Sequence, residues 1–199
     1  MKKICFISML VLLIALFGVM VKAENLQVKM TKEALKINHA KVNNHRQLNK
    51  KDQIDYIEAM ARVSWLEYWS RHLNESNIHH RRIWKDLFSI VAYESSFVNW
   101  KDVDGDQGFG WGSLHYDTCK FMARIYNFDW QKDQKIIEGN NKLQAKYITA
   151  WYLYLLEQYN NDRSKAITGY KFGVNVQKPE NHNYYWVIYG RISHYAKEW

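Results

Sequence analysis

From Asp52 onward apolar residues recur at helical spacing. Ile54, Ile57, Met60, Ala61, Val63 and Trp65 lie two to four positions apart, the period of a helix with one buried face. The pattern breaks at Asn74-Glu75-Ser76-Asn77. A second helix is predicted from about Arg81 to Phe97, with Trp84, Leu87, Phe88, Val91 and Ala92 on its apolar face. Tyr147, Ile148, Trp151, Tyr152, Leu155 and Tyr159 mark a third, over Gln144 to Tyr159. Ser164 to Tyr170 and Tyr184 to Ala196 read as two shorter helices. Nothing alternates at period two for long, so the pattern predicts an all-α fold with at most a minor hairpin. Residues 24–50 are polar, Lys- and Asn-rich and without clear periodicity, which predicts a loosely ordered lead-in. Residues 51–199 then form one domain, without internal repeat or linker.

The start of the chain has a different character. Lys2 and Lys3 precede an apolar run from Ile4 to Met20, and Val21-Lys22-Ala23 supplies a small residue before polar Glu24-Asn25. Residues 1–23 therefore read as a signal peptide cut near Ala23, which predicts an exported protein at the periplasm or cell wall. Losing Lys2, Lys3 and Lys22 with the leader takes the formal charge from +8 to +5. That excess favours anionic wall polymers or lipid headgroups. The basic residues are scattered and no nucleic-acid motif is present, so nucleic acid is not an expected partner. Cys5 falls in the leader, which leaves Cys119 alone and reads as a small buried hydrophobe. His79-His80 lack a carboxylate partner in sequence, and no metal site is expected from them.

Glu94 lies three residues after Val91 and seven after Leu87, at the edge of the second helix's apolar face. A carboxyl there loses water, which raises its pKa and suits a general acid. A solvated glutamate is the plainer alternative. The segment Asp102-Val-Asp-Gly-Asp-Gln-Gly-Phe-Gly-Trp-Gly112 follows, holding four of the nine glycines, Gly105, Gly108, Gly110 and Gly112. Such density points to positive φ angles or close backbone approach. Aromatic residues make up 16% of the chain. Trp100, Trp111 and Trp151 each suit either a core or a sugar-stacking surface.

Three features thus stand in order: Glu94-Ser95-Ser96-Phe97 at a helix end, a glycine-rich turn, and Gly169-Tyr-Lys-Phe-Gly173 after an aromatic helix. Together they resemble the catalytic domain of soluble lytic transglycosylases and the related goose-type lysozymes, over about residues 80–196. Glu94, Ser95 and Phe97 match that family's E-S-x-F motif. Gly110 and Thr118 fall on its glycine turn, and Tyr170 and Gly173 on its Y-N-x-G motif. The last helix, with Tyr184, Tyr185 and Arg191, is similar to the family's closing helix. Three positions depart: Ser113 stands where the family has Gln, Tyr116 where it has Pro, and Lys171 where it has Asn.

The resemblance implies a lysozyme-like helical domain whose glycine-rich turn lines an open cleft. It implies cleavage of the MurNAc–GlcNAc β-1,4 bond of peptidoglycan with Glu94 as the single acid/base and 1,6-anhydro-MurNAc as product. Ser95, Gly110, Ser113, Tyr170, Lys171 and Tyr184 would bind substrate, with no cofactor. Glycan strands would be the partner of a monomeric enzyme, with a cell-envelope secretion or assembly complex as a further setting. Two alternatives stay open: a glycan-binding or scaffold protein of the same fold, and a hydrolytic muramidase holding water on Asp104 or Asp106. Asp102, Asp104 and Asp106 also have calcium-loop spacing, but Ser113 occupies the twelfth position where that loop needs Glu.

Overall fold

A computed structural model describes residues 26–74, 79–100, 108–176 and 178–198. The described chain is all-α. Helix α1 covers 26–44, α2 Tyr56–His72, α3 His80–Glu94, α4 Tyr116–Ile125, α5 Trp130–Asp133, α6 Asn141–Gln158, α7 Arg163–Phe172 and α8 Asn183–Glu198. Among the described residues, the predicted minor hairpin appears as two isolated antiparallel bridges, Trp100 with Gly110 and Phe109 with Leu114. The leader, Asp102, Asp104 and Asp106 lie outside the described residues.

Short polar side chains start the helices. Asp55 accepts from the Glu58 amide, Asn140 from Leu143, and Asp162 from Ser164 and Lys165, each satisfying an amide that the first turn leaves without a partner. Helix α6 is the centre of the packing, touching α2, α3, α4 and α7, while α8 closes over α3 and α7. Trp84, Leu87, Phe88 and Val91 of α3 are buried as predicted, and so is Cys119.

Two buried ionic groups cross-link the helices. Asp86 on α3 accepts from Arg163 on α7 and from the Tyr152 hydroxyl on α6, the latter at 2.7 Å. Arg62 on α2 bonds Glu58, the Asn141 side chain and the Phe97 carbonyl just past α3. Removing one partner of such a set leaves a buried charge uncompensated.

The polar lead-in is the main correction to the sequence reading. Residues 26–44 form a helix, and Leu26, Met30 and Ala34 join the core. Asn38 continues the same four-residue stripe. Fully buried, it accepts from the Ile54 amide at 2.9 Å and donates to the Asp52 carbonyl at 3.2 Å. Gln27 near the start of α1 donates to Ser64, while Asn38 and His39 near its end meet Ile54 just before α2, so α1 runs antiparallel along α2. Met30→Ala should cost about 2–5 kcal/mol in urea unfolding, the usual range for truncating a buried methionine. A loss within a few tenths of a kcal/mol would mean that α1 does not dock.

Candidate active site

Helix α3 ends at Glu94 because the chain turns sharply there. Ser96 and Phe97 take φ of 53° and 61°, left-handed values that cost non-glycine residues free energy. Phe97 is held in place by full burial, by its ring packing 5.0 Å from Phe88 and by Arg62 on its carbonyl. The helix axis therefore delivers Glu94 to a fixed point at the edge of the core.

The glycine-rich turn packs against that point. Phe109 and Leu114 exchange backbone hydrogen bonds of 2.7 and 2.8 Å and close Gly110-Trp111-Gly112-Ser113 into a loop. Gly110 has φ +72°, and an added Cβ would sit 2.3 Å from Gln144 Oε1. Gln144 on α6 takes the Trp111 amide on that oxygen at 2.9 Å. Its Nε2 donates to the carbonyls of Ile137 and Glu138 and to Asn99 Oδ1. The Ser95 hydroxyl reaches the Trp111 carbonyl, and the Tyr170 hydroxyl donates to the Gly112 carbonyl at 2.9 Å. One polar clasp thus joins the end of α3, the turn, α6 and α7.

The Glu94 carboxyl is half-buried, and its Oε1 has no hydrogen-bond partner among the described residues. The Tyr184 hydroxyl, itself buried, lies near enough to act on that carboxyl, yet the two do not complete a bond of regular geometry. Burial holds the carboxyl above the ordinary carboxylate range, while Tyr184, the Lys171 ammonium and the His115 imidazole offset part of that rise. Lys171 and His115 also line a cleft of about 180 Å³ with Ser113, Thr118, Trp151 and Tyr170. A hollow of about 820 Å³ at Leu73, Asn127, Leu153 and Asn160 shares no residue with it.

No family model, curated protein or solved structure matches this chain. The site's chemistry therefore rests on its own residues.

The sequence-predicted residues separate into two groups. Ser113, Tyr170 and Lys171 line the cleft, and Glu94 and Tyr184 stand outside that lining, each within reach of Lys171. Ser95 and Gly110 are corrections: both are buried inside the clasp, so they shape the turn and offer no surface to a sugar. The tryptophans also divide. Trp111 is core, whereas half-exposed Trp151 lines the cleft and donates from Nε1 to the Tyr170 carbonyl at 3.2 Å. Sequence reasoning missed Gln144 and His115. Neither carries a motif, since an interior glutamine of a helix and a histidine before one look like ordinary surface residues.

Gly110→Ala should lower stability by about 2 kcal/mol or more, combining a left-handed alanine with a clash against Gln144. Gly190 on α8 is the control, since an added Cβ there meets open space, and alanine should stabilise that helix by roughly 0.5–1 kcal/mol. Thermal unfolding of the two variants side by side checks the contrast, and equal shifts would refute the clasp.

Proposed function

We propose that the chain is an exported peptidoglycan lytic transglycosylase of lysozyme-like fold, with residues 1–23 as its leader and Glu94 as its single acid/base. The observation that carries this reading is the half-buried Glu94 carboxyl with a buried, unpaired Oε1, fixed at a helix end beside the glycine turn and within reach of Lys171 and His115, which line a cleft. A carboxyl so placed keeps its proton to a higher pH than a solvated one, which a general acid near neutrality requires. Most glycosidases use two carboxyl groups. Among the described residues, the groups that act on Glu94 are Tyr184, Lys171 and His115, with no second carboxylate.

In the proposed reaction Glu94 gives its proton to the glycosidic oxygen as the bond from C1 of MurNAc to that oxygen breaks. GlcNAc leaves with a free 4-hydroxyl. The Glu94 carboxylate then takes the proton of the muramyl 6-hydroxyl while O6 bonds C1. The products are a 1,6-anhydro end and a protonated Glu94, and no water is consumed. Trp151 offers a face for stacking a sugar ring, and Ser113 a hydroxyl where the resembled family has an amide. Tyr170 and Gln144 act indirectly, by holding the turn against Glu94.

Mass spectrometry of peptidoglycan digested by residues 24–199 tests this directly. Anhydro-muropeptides are expected from the natural chain and none from Glu94→Gln, a loss of roughly a hundredfold or more for removal of a general acid. Activity should fall as pH rises through the elevated Glu94 pKa, because only the protonated carboxyl starts the reaction. Reducing ends in place of anhydro ends would make the protein a hydrolase. Intact glycan with unchanged binding would make it a glycan-binding protein.

A further inference from the structure

Lys171, which lines the cleft, shares an aromatic neighbour, Tyr93, with a second cation, Arg191. Lys171 on α7 places its Nζ 5.6 Å from the centre of the Tyr93 ring and 5.4 Å from that of Tyr184. Arg191 on α8 brings its guanidinium to 5.7 Å from the same Tyr93 ring. Tyr93 and Tyr184 meet edge to face at 5.0 Å; Lys171 lies over both rings and Arg191 over Tyr93. Tyr93 immediately precedes Glu94. Among the described residues neither cation forms an ion pair with a carboxylate. Aromatic faces attract cations only weakly at exposed positions and leave their charge available to an anion. When Glu94 carries its proton, as general-acid chemistry requires, it contributes no negative charge either.

We infer that Lys171 and Arg191 form a carboxylate-binding subsite beside Glu94, which selects muramyl rings whose lactyl group is free of peptide. The inference rests on the transglycosylase reading and names its substrate class. The lactyl ether sits on O3 of the ring whose C1 is attacked, so its carboxyl lies a few bonds from the scissile linkage. Joined to a stem peptide that carboxyl is an amide without charge; with the peptide removed it is an anion. An anion on Lys171 would also cancel the pull of that ammonium on the Glu94 proton, so the preferred substrate would help to keep the acid charged with its proton. Asparagine at 171, as in the resembled family, makes no such distinction.

The test is binding, measured on the full mature chain carrying Glu94→Gln so that strands are not consumed. Three probes are compared: glycan strands stripped of peptide by an amidase, stripped strands whose lactyl carboxyls have been converted to amides, and intact peptide-bearing strands. Stripped strands should bind roughly tenfold tighter than either other probe, the scale of one charge-assisted contact. Lys171→Gln, at an exposed position, and separately Arg191→Gln should each shrink that preference, with helical content unchanged by circular dichroism. Equal binding of stripped and amidated strands overturns the subsite, and so does a preference that survives both substitutions. Intact strands binding as tightly as stripped ones would assign the cations to stem-peptide carboxylates and overturn the lactyl assignment. Failure of Glu94-dependent cleavage by the natural chain would instead remove the transglycosylase reading, an outcome this binding comparison does not depend on.

Discussion

The end of α3 and the turn at 110–113 are joined by buried hydrogen bonds, and the position of Glu94 depends on them. Ser95 reaches the Trp111 carbonyl, Gln144 takes the Trp111 amide, and Tyr170 donates to the Gly112 carbonyl. An unmet buried polar group costs about 1–3 kcal/mol, so the set forms together or is lost together. The close fit of Gly110 on Gln144 and of Gly112 on Ile148 leaves no room for side chains at the turn. Arg62 secures the other flank through the Phe97 carbonyl. Three helices and a loop thereby fix one carboxyl.

That carboxyl is set by opposing influences. Removal from water favours the protonated form, and Tyr184, Lys171 and His115 favour the ionised form. Burial wins, but incompletely. The balance suits a group that must give up a proton and recover it within one cycle, since a carboxyl held too firmly in either state fails at one of the two steps. Lys171 is the adjustable element: it stands at the rim, exposed, where a bound anion can reach it.

Much of this was legible in the chain. Glu94 at the edge of an apolar helix face, the glycine-rich turn and the long aromatic helix are read from spacing alone, and the structure places them side by side. Helix α3 stops at Glu94 where periodicity carries it to Phe97. The left-handed turn of Ser96 and Phe97 is stabilised by Arg62 and the core, which local sequence does not express. Helix α1 was hidden because its stripe of Leu26, Met30, Ala34, Asn38 and Val42 is interrupted by a buried asparagine and flanked by a buried threonine, Thr31, amid many lysines and asparagines. Gln144 was hidden for a related reason. A polar residue becomes a structural centre only once the fold surrounds it with backbone donors and acceptors.

The account turns on Glu94 being held above the ordinary carboxylate range by its surroundings. Carbon-detected NMR titration of the mature chain, with glutamate labelled at the side-chain carboxyl and Glu94→Gln used to assign the signal, measures this directly. The account predicts that the Glu94 resonance titrates at higher pH than the solvent-exposed glutamates, and moves higher still in Lys171→Gln. Titration together with the exposed glutamates would contradict it.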